Sequence, residues 1–527
     1  GLTYEHIAAA AQASPEAREG ARAFVNAMLA GDLPHLPDLL DSRLIAFAKP
    51  AGGVRPIAIG ETWVRLACLC GIAATPGIGG TLAPLQFCIG VPGGTQCLVQ
   101  ALRTRMANEP SVVTVGLDFR NAFNTLDRTA ALRATKKRMP GLLAMSVWLK
   151  GQPTRLLPQG FPAGTEPLLS TTGVQQGNPL SMHEYAVTVQ DALEETVKLH
   201  PAVAVHAIAD DTYLQGCVGE VVPATRTLLG LCSALGLANV PHKSFAHSGN
   251  AELGVQAAEA LGFNHKVDGF VSGGAGLGTH EFVRAHAQGI ADGACERIDS
   301  LLALPAATQD KWLVLSMSVQ RCMDHLVRVV PWDMLEAAKQ TLEDKVTSAA
   351  CSIAGISNLD DVTGAQLSLP LRFGGIGLQA VSDTAALAAY LSSAATAHGA
   401  LKGSPHFDDP FGPGDLGDHV REAWEHLHDC GDGLWADADR EATEAVIANV
   451  VPRAQRDYVH REAEVLRDGL LNRFGNATPD AKHHRARLLS VGCAAASKWL
   501  VALPVAPCTR LSTADMQASF KLRLGRP

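Results

Sequence analysis

The sequence has no CxxC pair. Its 12 cysteines are scattered through 527 residues, which argues against a zinc finger or a disulfide-built scaffold. It fits a reducing, intracellular compartment, with nucleus and cytoplasm left undistinguished. Residues 66–102 carry no charged side chain. That invites a membrane reading, but Pro76, Pro84 and Pro92, with many glycines, cut the stretch below the ~20 apolar residues a spanning helix needs. Buried structure explains it better, and no membrane partner is expected. No signal peptide opens the chain, which begins at Gly1 and not Met; this suggests a processed or partial chain whose targeting sequence is missing. The run Gly273-Gly274-Ala275-Gly276-Leu277-Gly278 lacks the Lys-Ser/Thr of a phosphate loop and reads as a plain loop.

At 47% hydrophobic and 18% charged residues, the composition is globular, and the length predicts several domains. The net charge of −8 sits badly with nucleic-acid binding, which draws its affinity from Lys and Arg on phosphates. A local basic channel would suffice. Arg128, Arg133, Lys136, Lys137 and Arg138 form one such cluster, although a solvated helix face accounts for it equally well.

Two acidic segments carry the most information. Val112–Phe123 and Val203–Tyr213 are apolar, β-branched runs that read as buried strands and break into carboxylates at Asp118 and at Asp210-Asp211. Removing a carboxylate from water costs several kcal/mol unless something compensates it. Three of them at the ends of core strands call for cations. Oxygen ligands suit Mg²⁺, and two ions about 3.5–4 Å apart form the clamp of phosphoryl and nucleotidyl transfer. The plainer reading makes Asp210-Asp211 a β-hairpin turn before the strand-like run Tyr213–Cys217, and the two readings are compatible.

Further segments flank these. Residues 49–61 (KPAGGVRPIAIGE) look like a hairpin with glycines at its tip and with Lys49 and Arg55 as cations able to grip a triphosphate. A solvated surface hairpin is the alternative. Gly173–Ser181 reads as a turn opening into a helix, with Pro179 near its start. Lys243 lies on a loop after an apolar helix.

In order and spacing, KPAGGVRPIAIGE, FCIGVPGG (87–94), LDFRNAFNTLDR (117–128), VQQGNPL (174–180), IADDTYLQG (208–216), ANVPHKS (238–244) and LPLRFGGIGL (369–378) resemble the reverse transcriptases of non-LTR retrotransposons and related cellular genes. The resemblance covers roughly residues 45–400 and implies an α+β right-hand polymerase: fingers, a palm with an antiparallel sheet, and a helical thumb. By position it implies that Asp118, Asp210 and Asp211 are catalytic metal ligands and that the Phe119 carbonyl joins them. Two Mg²⁺ ions, or Mn²⁺ in their place, would be held there. Phe123 falls where a ring excludes a ribose 2′-OH. Gln176 and Gly177 match the nucleotide-cradling turn, Arg55 and Lys49 the triphosphate-binding fingers, and Lys243 a basic residue near the leaving pyrophosphate. The implied partners are an RNA template, a DNA or RNA primer and dNTPs, with Arg128, Lys136, Lys137 and Arg138 as candidate nucleic-acid contacts.

Three departures stand out. Ile208 replaces an aromatic residue two before the Asp pair, and Asn178 replaces an Asp, although Asn can cap a helix equally well. The primer-side Leu-Gly-x-Pro-x-Gly segment survives only as the glycine run at 273–279. The organisation expected is a helical segment at 1–44, fingers and palm at 45–285, thumb and post-thumb helices at 286–400, a Gly/Pro/Asp-rich linker at 401–418 and a helical domain at 419–527. No endonuclease constellation appears, so such an activity would belong to a separate domain or protein. His426, His428 and Cys430 read as helix surface, not as half of a metal site. Two rival readings remain: a catalytically decayed, RNA-binding relative of the polymerase, and a template-independent or RNA-synthesising nucleotidyltransferase.

Overall fold

Local signals set the first elements. The Ser14 hydroxyl accepts the Ala17 amide at 3.1 Å and caps the helix Pro15–Ala30, whose Pro15 occupies the first turn, where an N–H would have no partner. Strands β1 (Ser42–Ala48) and β2 (Val54–Gly60) follow as an antiparallel hairpin. At its tip Gly52 and Gly53 both take positive φ, which glycine adopts without a Cβ clash. The computed structural model describes residues 2–49, 52–160, 162, 164–357, 359–378, 383–401, 421, 424–429, 454–475, 478–493, 496–504 and 509–526. Most of 401–418, and Cys430, lie outside these residues, as do Pro50 and Ala51.

The chain divides into two compact units, Gly1–Val267 with Ala400–Phe407 and Asp268–Gly399 with Asp408–Pro527. The first holds two sheets. β3 (Val113–Leu117) belongs to the larger, while β4 (Thr154–Pro158) and β5 (Leu168–Ser170) extend the β1–β2 hairpin in the order β2-β1-β4-β5. The larger sheet adds β6 (Ala204–Ile208), β7 (Asp211–Gly216), β8 (Phe245–Ser248) and β9 (Asn264–His265), in the order β6-β7-β3-β8-β9. Every pairing in it is antiparallel except β8 with β9.

All five residues of β3 are buried, which explains its unbroken apolar reading. Val113, Val115, Leu117, Val205 and Leu214 pack with Tyr185, Val189 and Leu193 of the helix Ser181–Leu199, and with Val221, Val222 and Leu228 of the helix Val218–Ala234. Each fully buried Val or Leu side chain contributes about 1.5–3 kcal/mol. Gly116 leaves room for the Phe245 ring, since a Cβ there would fall 2.3 Å from it.

The second unit is mainly helical. The glycine run expected as a loop is instead a hairpin, β10 (Gly269–Ser272) paired with β11 (Ala275–Gly278). The turn is confined to Gly273 and Gly274, both at positive φ, which frees the remaining residues to pair. Helices His280–Ala303 and Glu336–Ala354 pack against each other. The helices Ala454–Phe474, Pro479–Val491 and Thr513–Leu524 come from the C-terminal stretch. There Arg523 is buried and its guanidinium donates to the carbonyls of Gly375, Ala496 and Leu371 and to Ser497 Oγ, so this terminal cation clasps the LPLRFGGIGL segment. Burial pulls it down to about 10. Among the described residues no helix is long and apolar enough to cross a membrane.

Candidate active site

Strand register brings the acidic segments together. Ile208 pairs with Asp211 across the β6–β7 hairpin, so Ala209 and Asp210 are its two-residue tip. On the other edge of β7, Leu117 pairs with Thr212. Continued by one residue, that register sets Asp118 beside Asp211. The three carboxylates therefore share one end of two adjacent strands in the middle of a sheet.

Their electrostatics agree. Burial pushes the Asp210 carboxyl up, Asp118 adds to the rise, and Arg55 and Lys49 partly offset it. Asp211 is pushed up to about 6, first by burial and then by the charges of Asp210 and Asp118. Asp211 nonetheless keeps solvent-exposed surface, so its rise reflects crowded carboxylates as well as burial. Among the described residues no three His, Cys, Asp or Glu side chains converge closely enough to hold one ion. The aspartates share a field without closing into a cage.

Each acidic segment is pinned from elsewhere. The Asp118 amide donates to Ser244 Oγ at 3.0 Å, and its carbonyl accepts from Val240 N at 2.9 Å and from Asn239 Nδ2 at 3.1 Å. Asn239 Nδ2 also donates to Ser244 Oγ at 2.8 Å. Ser244 is fully buried. Phe119 bridges Asn239, with the bonds carried by the flanking Asp118 carbonyl and Arg120 amide. In such a pair the residue's own carbonyl turns to the opposite edge, here the side of Asp210 and Asp211. The donor set is all oxygen, as Mg²⁺ prefers.

At the hairpin tip Ala209 holds φ of +57°, a left-handed conformation unusual for a residue with a Cβ. Its amide donates to Gln86 Oε1 at 2.9 Å, and Gln86 Nε2 reaches the Ala209 carbonyl at 3.5 Å. Gln86, Asn239 and Ser244 were not singled out from the sequence. Nothing local marks them, because Gln86 and Ser244 each act on a residue more than 120 positions away.

The remaining predicted residues fall as follows. Phe123 is buried and stacks on Tyr185, ring centroids 4.6 Å apart and planes 21° apart. Burial, then the Asp210 charge, hold the Tyr185 hydroxyl well above its usual range. The Gln176 carbonyl accepts from Ala58 N of β2 at 2.7 Å. Gly177 has φ of +118°, and a Cβ there would fall 2.4 Å from the Ala58 oxygen. This ties the Gln176–Gly177 turn to the hairpin that carries Arg55. Asn178 Oδ1 accepts from Leu180 N at 2.9 Å within the turn before the helix Ser181–Leu199, whose N-cap residue is Leu180 and has no side-chain cap, so the helix-capping role expected of Asn178 is not met. Arg55 and Lys243 are exposed and Lys49 is half-buried.

The basic cluster is largely occupied by the chain itself. Arg128 turns inward and donates to Gly173 O at 3.0 Å, Ser170 O at 3.1 Å and Ser170 Oγ at 2.9 Å. Arg138 bonds Asp191 and, at 2.7 Å, Glu194, while Lys137 meets Asp191 at 2.8 Å. Arg133 and Lys136 are exposed.

No protein-family model matches the sequence, and no curated protein is similar to it. Among solved structures the chain is similar to apo telomerase from Candida tropicalis truncated from its C-terminal domain, at 12% identity and a TM-score of 0.33, over 41% of this chain and 51% of that one. It is similar to Candida albicans telomerase in complex with a TWJ fragment of telomeric RNA, at 8% identity and a TM-score of 0.41, over 82% and 68%. A third likeness is to apo telomerase from Candida tropicalis, at 10% identity and a TM-score of 0.38, over 81% and 69%. The chain thus spans 51% of the first of these proteins. Likenesses this shallow leave the assignment to the residues themselves.

Proposed function

We propose that this chain is an RNA-directed DNA polymerase of right-hand architecture and non-LTR retroelement kind. It would extend a DNA or RNA primer on an RNA template with dNTPs. The observation that carries the reading is the placement of Asp118 beside the Asp210-Asp211 tip, with the charges of Arg55 and Lys49 reaching Asp210. Asp118, Asp210, Asp211 and the Phe119 carbonyl would hold two Mg²⁺ ions, or Mn²⁺. When bound, such ions lower the pKa of an attacking hydroxyl and neutralise charge on a leaving pyrophosphate.

The chain's own residues supply the rest. Arg55 and Lys49 attract the triphosphate to the carboxylates, and the turn at Gln176–Gly177 keeps their hairpin seated. The Phe123–Tyr185 stack backs a wall against which a ribose 2′-OH would clash, which favours deoxynucleotides. Exposed Lys243 follows the Asn239–Val240 segment that binds the Asp118 backbone, so its charge is available for pyrophosphate. Exposed Lys136 and Lys137, with Arg133, are the part of the basic cluster left for a nucleic-acid backbone, while Arg128 and Arg138 bond mainly within the chain. An endonuclease, where one is used, would be a separate domain or protein.

One observation favours a second reading. The net charge of −8, with the primer-side segment reduced to the glycine run at 273–279, suits a catalytically decayed, RNA-binding scaffold. Offering each dNTP singly on an annealed RNA template separates the possibilities. The polymerase adds only the nucleotide complementary to the next template base, and a template-independent transferase adds any of them. A decayed scaffold binds the duplex and adds none.

A further inference from the structure

The chargeless stretch has a role that the polymerase motifs leave out. Its Leu85–Phe87 segment lies along the outer edge of β6: Ala207 N donates to Leu85 O at 2.7 Å, and Phe87 N donates to Ala207 O at 2.9 Å. Gln86 bridges Ala207 in parallel fashion, so the segment extends the larger sheet past β6. A segment buried in this way has no use for charge. At its centre the side chain of Gln86 is fully buried, and both of its amide atoms engage one residue, Ala209.

Ala209 is the residue that most needs holding. Its positive φ costs free energy that the surroundings must offset, and it directly precedes Asp210. Relaxed toward ordinary backbone angles, Ala209 would re-aim Asp210 and Asp211. The Gln86 Oε1 bond fixes the Ala209 amide in its strained orientation, and the 3.5 Å approach of Nε2 restrains the carbonyl on the other side of the same residue. Phe87 adds a second restraint, its ring centroid 5.6 Å from that of His206 on β6.

We infer that Gln86 is a positioning residue for the metal-binding carboxylates: it latches the β6–β7 tip so that Asp210 and Asp211 are presented toward Asp118. The inference rests on the metal-site reading above but not on polymerase activity. It predicts that loss of the latch weakens cation binding while the fold survives.

The test is Mn²⁺ binding, followed by water-proton relaxation and calorimetry, on the full chain. Wild type is compared with Gln86→Met, which keeps the size and removes both bonds. The control is Gln215→Met, which removes an equally buried amide that bonds Leu102 O and Thr114 Oγ1, at the end of β7 remote from Asp211. Supporting-shell losses of this kind typically cost about 10–100-fold in metal affinity. Gln86→Met should lose that much at an unfolding midpoint comparable to the control, and Gln215→Met should bind as wild type does. Equal affinity in Gln86→Met and wild type, or equal loss in both variants, would overturn the inference.

Should Gln86→Met fail to fold, Gln86→Asn keeps a neutral amide too short to reach Ala209 and should bind Mn²⁺ more weakly than wild type. Wild-type affinity there overturns the latch. Wild type that binds Mn²⁺ in an Asp210-dependent way but never extends a primer would sink the polymerase reading and leave the latch standing. Wild type that binds no Mn²⁺ sinks both.

Discussion

Asp211→Asn should stabilise the metal-free protein at neutral pH while abolishing its chemistry. Asp211 is pushed from an ordinary carboxyl value of 3.8 up to about 6. A carboxyl whose folded pKa is raised binds its proton more tightly in the folded state. It therefore contributes stability below the unfolded pKa and loses it as pH climbs through the folded one. Above pH 6 the folded state carries the full cost of a crowded carboxylate. Two pKa units correspond to a ceiling of about 3 kcal/mol. The exposed surface of Asp211 lets water screen much of that, so about 1–1.5 kcal/mol is the working figure. Neutral, nearly isosteric asparagine removes the penalty. Urea unfolding in chelator, read at several pH values, should show a variant-minus-wild-type difference near zero at pH 4 and reaching its full size by pH 7.5. In thermal unfolding this is a gain of a few degrees. Mg²⁺ should reverse the order, because ions bound by the folded state stabilise wild type through linkage and the variant much less. A variant less stable than wild type in chelator at pH 7.5, or a difference independent of pH, would refute the claim that the carboxylates are held together at mutual cost.

Three other predictions follow from the same geometry. Ser244→Ala strips a buried acceptor from the Asp118 amide and from Asn239; we expect a loss of about 1–3 kcal/mol in urea unfolding together with weakened Mg²⁺ dependence of activity, and unchanged stability would contradict the assigned bonds. Phe123→Ala removes the ring stacked on Tyr185 and should raise ribonucleotide incorporation relative to deoxynucleotide, measured by competition; no change would sink its assignment as the gate. Gly177→Ala forces a Cβ to 2.4 Å from the Ala58 oxygen at φ of +118°. It should raise the KM for dNTP more than it lowers affinity for the duplex, and an unaltered KM would detach the Gln176–Gly177 turn from nucleotide binding.

The parts of this site that were legible in the sequence are those made by local chemistry. The β-branched runs before Asp118 and Asp210 are strands because nothing in them favours another state, and the two-residue tip follows from the break in apolarity. Gly52-Gly53 marks the tip of the β1–β2 hairpin, and Asn178 marks the turn before the helix Ser181–Leu199 through a bond two residues away. What escaped is long-range. The Gln86 latch is an ordinary polar residue in an apolar stretch until β6 is laid beside it. Arg128 and Arg138 look like free cations until Ser170, Gly173 and the acids Asp191 and Glu194 are brought opposite them by folding. The glycines at 273–278 read as loop because composition cannot separate a turn from the strands it joins. Arg523 likewise carries no local sign that it is buried against carbonyls from far earlier in the chain.

Extension of a primer annealed to an RNA template, with dNTPs and Mg²⁺ at low salt and with Asp210→Asn beside wild type, tests the central claim most directly. The account predicts full-length product from wild type and none from the variant, with both binding the duplex. Extension by both would mean that Asp210 is not where the chemistry happens. Duplex binding without extension by either would make the chain a polymerase-shaped scaffold that holds nucleic acid without copying it.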